Sequence, residues 1–166
     1  MRARWLLAAL ALTLPAAAAA QAAPPEQTTP PQQTPRALFT GLIVNDPRTG
    51  ADVRGLLTSG AAFVGSPPQF ADLTGDGRMD AVVQVRIPGA AGTVAVYAFS
   101  TDGTSDRRLR AVLRSQALYR VTVAVAPGTL LITVPEYRAG DDVCCPAERS
   151  ERRYAWDTRA NRMRRR

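Results

Sequence analysis

From Ala81 onward apolar side chains recur at every second position, and the runs are joined by short turns. Val83, Val85 and Ile87 share one face of a strand, with Gln84 and Arg86 on the other. Thr93 to Phe99 follows after the loop Pro88-Gly-Ala-Ala-Gly92. Leu109, Ala111 and Leu113 then alternate with Arg110, Val112 and Arg114 beyond the Asp102-Gly103 turn. Tyr119, Val121, Val123 and Val125 form the next alternating run. Pro127-Gly128 turns the chain into Leu130, Ile132 and Val134. Tyr154 and Trp156, read as core, alternate with Arg153 and Ala155, and Asn161 marks a turn before a short last strand. Turns this short cannot hold crossover helices, so neighbouring strands must run antiparallel. The pattern predicts a mainly β (α+β) domain, an antiparallel meander of six to seven strands. One face is rich in Val, Leu and Ile, and the other carries Arg, Gln and Thr.

The segments before this run differ. Arg2 and Arg4, the apolar stretch Trp5 to Leu14 and the small residues Ala16 to Ala20 have the order of an export signal, expected over residues 1–20. The apolar stretch is too short to span a bilayer. No Cys stands near the cleavage site to take a lipid. Residues 21–35, rich in Pro, Gln and Thr, read as an extended linker. A single folded domain is expected over 36–166. Ala37 to Val44 suits helix or strand. Asp46-Pro47 then offers an N-cap and first-turn Pro, with Val53, Leu56 and Leu57 at helical spacing and Gly60 as a stop. One or two short helices are expected here, covering an end or face of the sheet.

The chain contains no His and no Lys; its 21 basic residues are all Arg, against 14 acids. Without imidazole, most Ser-His and Cys-His nucleophilic sites and most zinc sites fall away. Removing Arg2 and Arg4 with the signal leaves 19 Arg against 14 acids, a net charge of +5. An exported basic protein meets anionic envelope polymers or another envelope protein rather than nucleic acid. Arg162, Arg164, Arg165 and Arg166 crowd the C-terminus and read as a solvated, frayed tail.

Two motifs carry chemistry. In Asp72-Leu-Thr-Gly-Asp-Gly-Arg-Met-Asp80, side-chain oxygens of Asp72, Thr74, Asp76 and Asp80 stand at positions 1, 3, 5 and 9. The Arg78 carbonyl falls at position 7, and Gly77 at position 6 permits a sharp turn. This is the alternate-residue spacing of a calcium loop, although position 12 is Val83 and a strand follows. The competing reading is an Asp-Gly hairpin turn whose carboxylates accept from backbone amides. Cys144-Cys145-Pro146 is the second motif. Two Cys in an exported chain normally pair, but neighbouring Cα atoms are only about 3.8 Å apart, so such a bond closes a small strained ring. Two buried thiols, or bridges to other molecules, are the alternatives. Asp141 and Asp142 read as part of a charged loop, with extra ligands for the metal loop as a lesser reading. Glu136 with Asp141 would serve a carboxylate-based hydrolase.

The nonamer followed by Ala81-Val-Val resembles the calcium loops of FG-GAP and VCBS-type extracellular β domains. A longer match adds Gly92-Thr-Val-Ala-Val-Tyr97, Thr133-Val-Pro-Glu-Tyr137, Gly140-Asp141, Cys144-Cys-Pro146 and Arg153-Tyr-Ala-Trp156, in that order. Over residues 60–160 this is similar to the LppP/LprE-type exported protein family of actinobacteria. No enzymatic activity defines that family, so the resemblance implies envelope location and not chemistry. The chain departs from its lipoprotein members in lacking a lipobox Cys. The expected protein is therefore an exported, monomeric, calcium-stabilised binding module, with no membrane span once the signal is removed. A carboxylate hydrolase and a redox module using Cys144 and Cys145 are its rivals.

Overall fold

The computed structural model describes residues 33–65, 67–101 and 108–166. The expected signal (1–20), residues 21–32 of the expected linker, Ser66 and the Asp102-Gly103 turn lie outside these residues. Thr34 Oγ1 accepts from the Ala37 amide at 3.3 Å, and Pro35 takes the first turn, so the ambiguous apolar stretch becomes helix α1, Pro35–Asn45. Helix α1 thus takes in Pro35, the last residue of the expected linker. The chain leaves α1 at Asp46, which is its C-cap and not the start of the next helix. Helix α2, Ala51–Thr58, instead begins after Gly50. The reason is that Asp46 is already engaged: one carboxylate oxygen accepts from the Arg48 amide at 2.9 Å, the other from Arg114 at 2.6 Å. Arg54 closes the corner by donating to the carbonyls of Val44, Asp46 and Thr49, satisfying groups that a helix end leaves open. Gly60, at φ +76°, ends α2 as expected.

Two antiparallel sheets follow, nine strands among the described residues. In the first, β1 (Phe63–Val64) and β2 (Gln69–Ala71) both pair with one edge of β3 (Asp80–Ile87). A 3₁₀ turn, Gly89–Ala91, leads from β3 into β4 (Gly92–Ser100), and β5 (Arg110–Ser115) completes that sheet. The second is a meander of β6 (Thr122–Ala126), β7 (Thr129–Glu136), β8 (Glu148–Asp157) and β9 (Arg162–Arg165). The mainly β, antiparallel class is the one the periodicity predicts. The strands beyond six or seven are β1 and β2, too short to display a period.

The first sheet is the middle of three layers. On one face Val83, Val85, Tyr97 and Phe99 pack against Phe39, Ile43, Val53 and Leu57 of the helices. On the other, Val82, Val96 and Ala98 meet Leu130, Ile132 and Met163 of the second sheet. Burial on both sides explains why β4 is apolar almost without interruption, whereas β6 alternates between exposed and half-buried. Tyr154 and Trp156 pack, half-buried, against the inter-sheet core. At β5 the alternation fails. Ala98 pairs with Leu113 but Phe99 with Ala111, leaving Val112 as an extra residue. This bulge sends Ala111 to the helix side and both Val112 and Leu113 to the inter-sheet side, not one face as expected. Tyr119 is likewise not the head of a strand: it is exposed, between Ala117 and Arg120 at φ +54° and +51°. Strand β6 starts only at Thr122.

Candidate functional site

The Asp72–Asp80 motif forms the connection between β2 and β3, and its carboxylates are spent largely on the backbone. Asp72 accepts from the Gly75 amide at 2.7 Å and the Gly77 amide at 3.0 Å. Asp80, only 2 % exposed, accepts from Leu73 at 2.8 Å and Thr74 at 3.1 Å through one oxygen. Gly75 and Gly77 are both at φ +79°, where a Cβ would strain the turn. The Asp72 carbonyl accepts from the Gly128 amide at 2.8 Å, tying the loop to the β6–β7 turn. Asp76 differs from its neighbours: it accepts from the Arg78 amide at 2.8 Å and from the Arg78 guanidinium, which together hold its carboxyl below the ordinary carboxylate value.

Set against a calcium ion, this donor set fits in part. The oxygens are hard and of the right type, and Thr74 Oγ1 is buried without a hydrogen-bond partner among the described residues. The Arg78 guanidinium, however, already neutralises Asp76. Among the described residues no three His, Cys, Asp or Glu side chains gather as a metal-holding group.

The Cys motif lies at the other end of β7, in the loop from Tyr137 to Ala147. The sulfurs of Cys144 and Cys145 stand at disulfide distance, with Cα atoms 3.8 Å apart. Asp141 organises this loop by accepting from the Arg138 and Ala147 amides, both at 2.8 Å, and these bonds lower its carboxyl's pKa. The Tyr137 hydroxyl donates to the Val143 carbonyl at 3.0 Å. Asp141 is therefore committed to its own loop, about 25 Å of strand away from the Asp72 turn, and adds no ligand there. Glu136 stands opposite Glu148 in the β7–β8 register, and Arg138 pairs with Glu148.

A third arrangement was not visible in the sequence. Edge strand β9 comes to lie beside edge strand β5, joined by Arg110, which donates to the Asn161 carbonyl at 3.0 Å and its side-chain oxygen at 2.6 Å. Between them opens a groove of about 440 Å³ with Val112, Leu113 and Met163 in its lining. Arg48, Arg114, Arg162, Arg164 and Arg165 surround it. Arg114 is paired with Asp46 and Arg164 with Asp157, the latter at 3.2 Å. The other three make no ion pair among the described residues. The C-terminal Arg run is thus a strand with Met163 buried, not a frayed tail. Its one sequence signal is the alternation Arg162-Met163-Arg164.

No protein-family model, curated protein or solved structure matches this chain. Among the described residues no helix is long and apolar enough to cross a membrane.

Proposed function

We propose that this protein is an exported cell-envelope module that binds an anionic envelope polymer in the groove between β5 and β9. The observation that carries the reading is the set of five Arg residues, three of them without an ion pair among the described residues, lining a groove with Val112, Leu113 and Met163. Arg presents a planar fork that grips phosphate or carboxylate in two places, and the apolar lining suits the carbon skeleton of a polymer unit. Export is supported by the charge, apolar and small-residue order of residues 1–20 and by the resemblance to the LppP/LprE-type family. Calcium in the Asp72–Asp80 loop is a second reading, favoured by Thr74 Oγ1, which is buried with no hydrogen-bond partner among the described residues; it would stabilise the loop and perform no chemistry.

Binding of the purified protein to immobilised poly(glycerol phosphate) and to a neutral glucan tests the polymer reading. The anionic polymer should bind, weakening as salt rises. The triple variant Arg48→Gln, Arg162→Gln, Arg165→Gln should lose roughly 10- to 100-fold in affinity, about 1.4–2.8 kcal/mol. Equal binding to the neutral glucan, or an unaffected triple variant, would refute it.

A further inference from the structure

A second, smaller cavity, of about 180 Å³, lies on the outer face of the second sheet beneath the Cys loop. Its size falls well below the roughly 300–1,000 Å³ of sites for drug-sized ligands, so it suits a single chemical group. Its floor is set by strand register. Thr122 and Thr133 stand directly opposite one another on β6 and β7, both lining the cavity, which places two hydroxyls side by side. Pro135 and Arg149 form the next row across β7 and β8. Arg149 makes no ion pair or side-chain hydrogen bond among the described residues. Glu151, beside Thr133 in register, does not line the cavity and makes no ion pair among the described residues.

The opposite wall is Arg120, whose backbone is held in an unusual state. Its φ is +51°, its amide donates to the Ala91 carbonyl at 3.2 Å, and its Cα packs against Gly92. A Cβ on Gly92 would lie 3.4 Å from that Cα. A left-handed non-Gly residue is strained, and such strain is held in place only where the surroundings fix it. Cys144 and Pro146 make the roof, kept in place by the Asp141 and Tyr137 hydrogen bonds. The roof needs no polar group from the ligand.

We infer that this cavity is an oxyanion pocket, in which Arg149 and the Thr122 and Thr133 hydroxyls hold one phosphate, sulfate or carboxylate group, with Arg120 in the wall. It is distinct from the β5–β9 groove, and none of its residues lines that groove. All three groups can donate, and Arg149 is a cation, so the pocket selects an anionic acceptor over a neutral hydroxyl.

The test is an NMR titration of the full protein with inorganic phosphate, with glycerol phosphate, and with sodium chloride at matched ionic strength. Both phosphates should give saturable shifts at Thr122, Thr133 and Arg149, and chloride should not. Tighter binding of glycerol phosphate would mark the group as one carried on a larger molecule, and equal binding would mark a free ion. Arg149→Gln should weaken binding by about 10-fold or more. Thr133→Val, which preserves shape and β propensity, should weaken it by several-fold. The groove triple variant should leave this binding intact, so a failure here is separable from a failure of the polymer reading. Shifts that follow ionic strength alone, or that survive Arg149→Gln unchanged, would overturn the assignment.

Discussion

Tyr97 is fully buried among apolar neighbours of the helix-facing core, yet it carries a hydroxyl. That hydroxyl meets Thr49 Oγ1 at 3.2 Å, and burial pushes the phenol pKa up. Thr49, itself 4 % exposed, lies between the two helices, so the pair ties the helical corner to β4. Removing one partner leaves the other desolvated. Tyr97→Phe or Thr49→Val alone should therefore cost about 1–2 kcal/mol. The double variant should cost less than the sum of the two, since no orphaned group remains. Urea unfolding of the four proteins measures this, and strictly additive losses would show that the pair is not coupled. Neither half of the pair could be found by period: Thr49 stands in a turn between helices, and Tyr97 reads as one more apolar strand residue.

At the scale of elements, the strands were legible and their deviations were not. A two-residue period identifies β3, β7 and β8, and a nearly unbroken apolar run identifies β4, because each packs at least one face against a fixed neighbour. The bulge at Val112 and the left-handed corner at Ala117 to Arg120 arise from pairing register, which alternation cannot encode. The basic groove was hidden for a different reason: its Arg residues come from a helix corner, β5 and β9, which meet only in three dimensions. The Asp72–Asp80 turn is an intermediate case. The amide-capping reading describes the bonds Asp72 and Asp80 make. If calcium also binds, affinity should be weak, on the order of 10⁻⁴–10⁻³ M as in extracellular modules. At about 2 mM calcium and a Kd of about 0.2 mM, stability should rise by roughly 1.4 kcal/mol, and Tm by roughly 4–5 °C. Asp76→Ala should abolish that rise and also lower the melting point in chelator modestly. The substitution removes both an exposed ion pair with Arg78, worth about 0–1 kcal/mol, and the acceptor of the Arg78 amide. Identical melting in calcium and chelator would leave the loop as an amide-capped turn.

For the whole molecule, the order of layers decides how it unfolds. The helix-facing and inter-sheet cores share no residues, but both are built on β3 and β4. Val82 and Val83, neighbours in sequence, belong to opposite cores, so neither core can dissolve without exposing the back of the other. The β5–β9 contact through Arg110, whose guanidinium also lies 6.0 Å from the Trp156 ring, joins the sheets a second time. The folded region should therefore unfold in one step although it has two cores. Ile43 and Ile132, each fully buried, report on one core apiece. Ile43→Val and Ile132→Val should each cost about 0.5–1.5 kcal/mol. Lying on opposite sides of the middle sheet, their effects should add. Far-ultraviolet and near-ultraviolet dichroism should give coincident melting curves for both variants, each shifted as a whole. A variant that moved only one probe, or split the curve in two, would show that the layers unfold separately and that the middle sheet does not couple them.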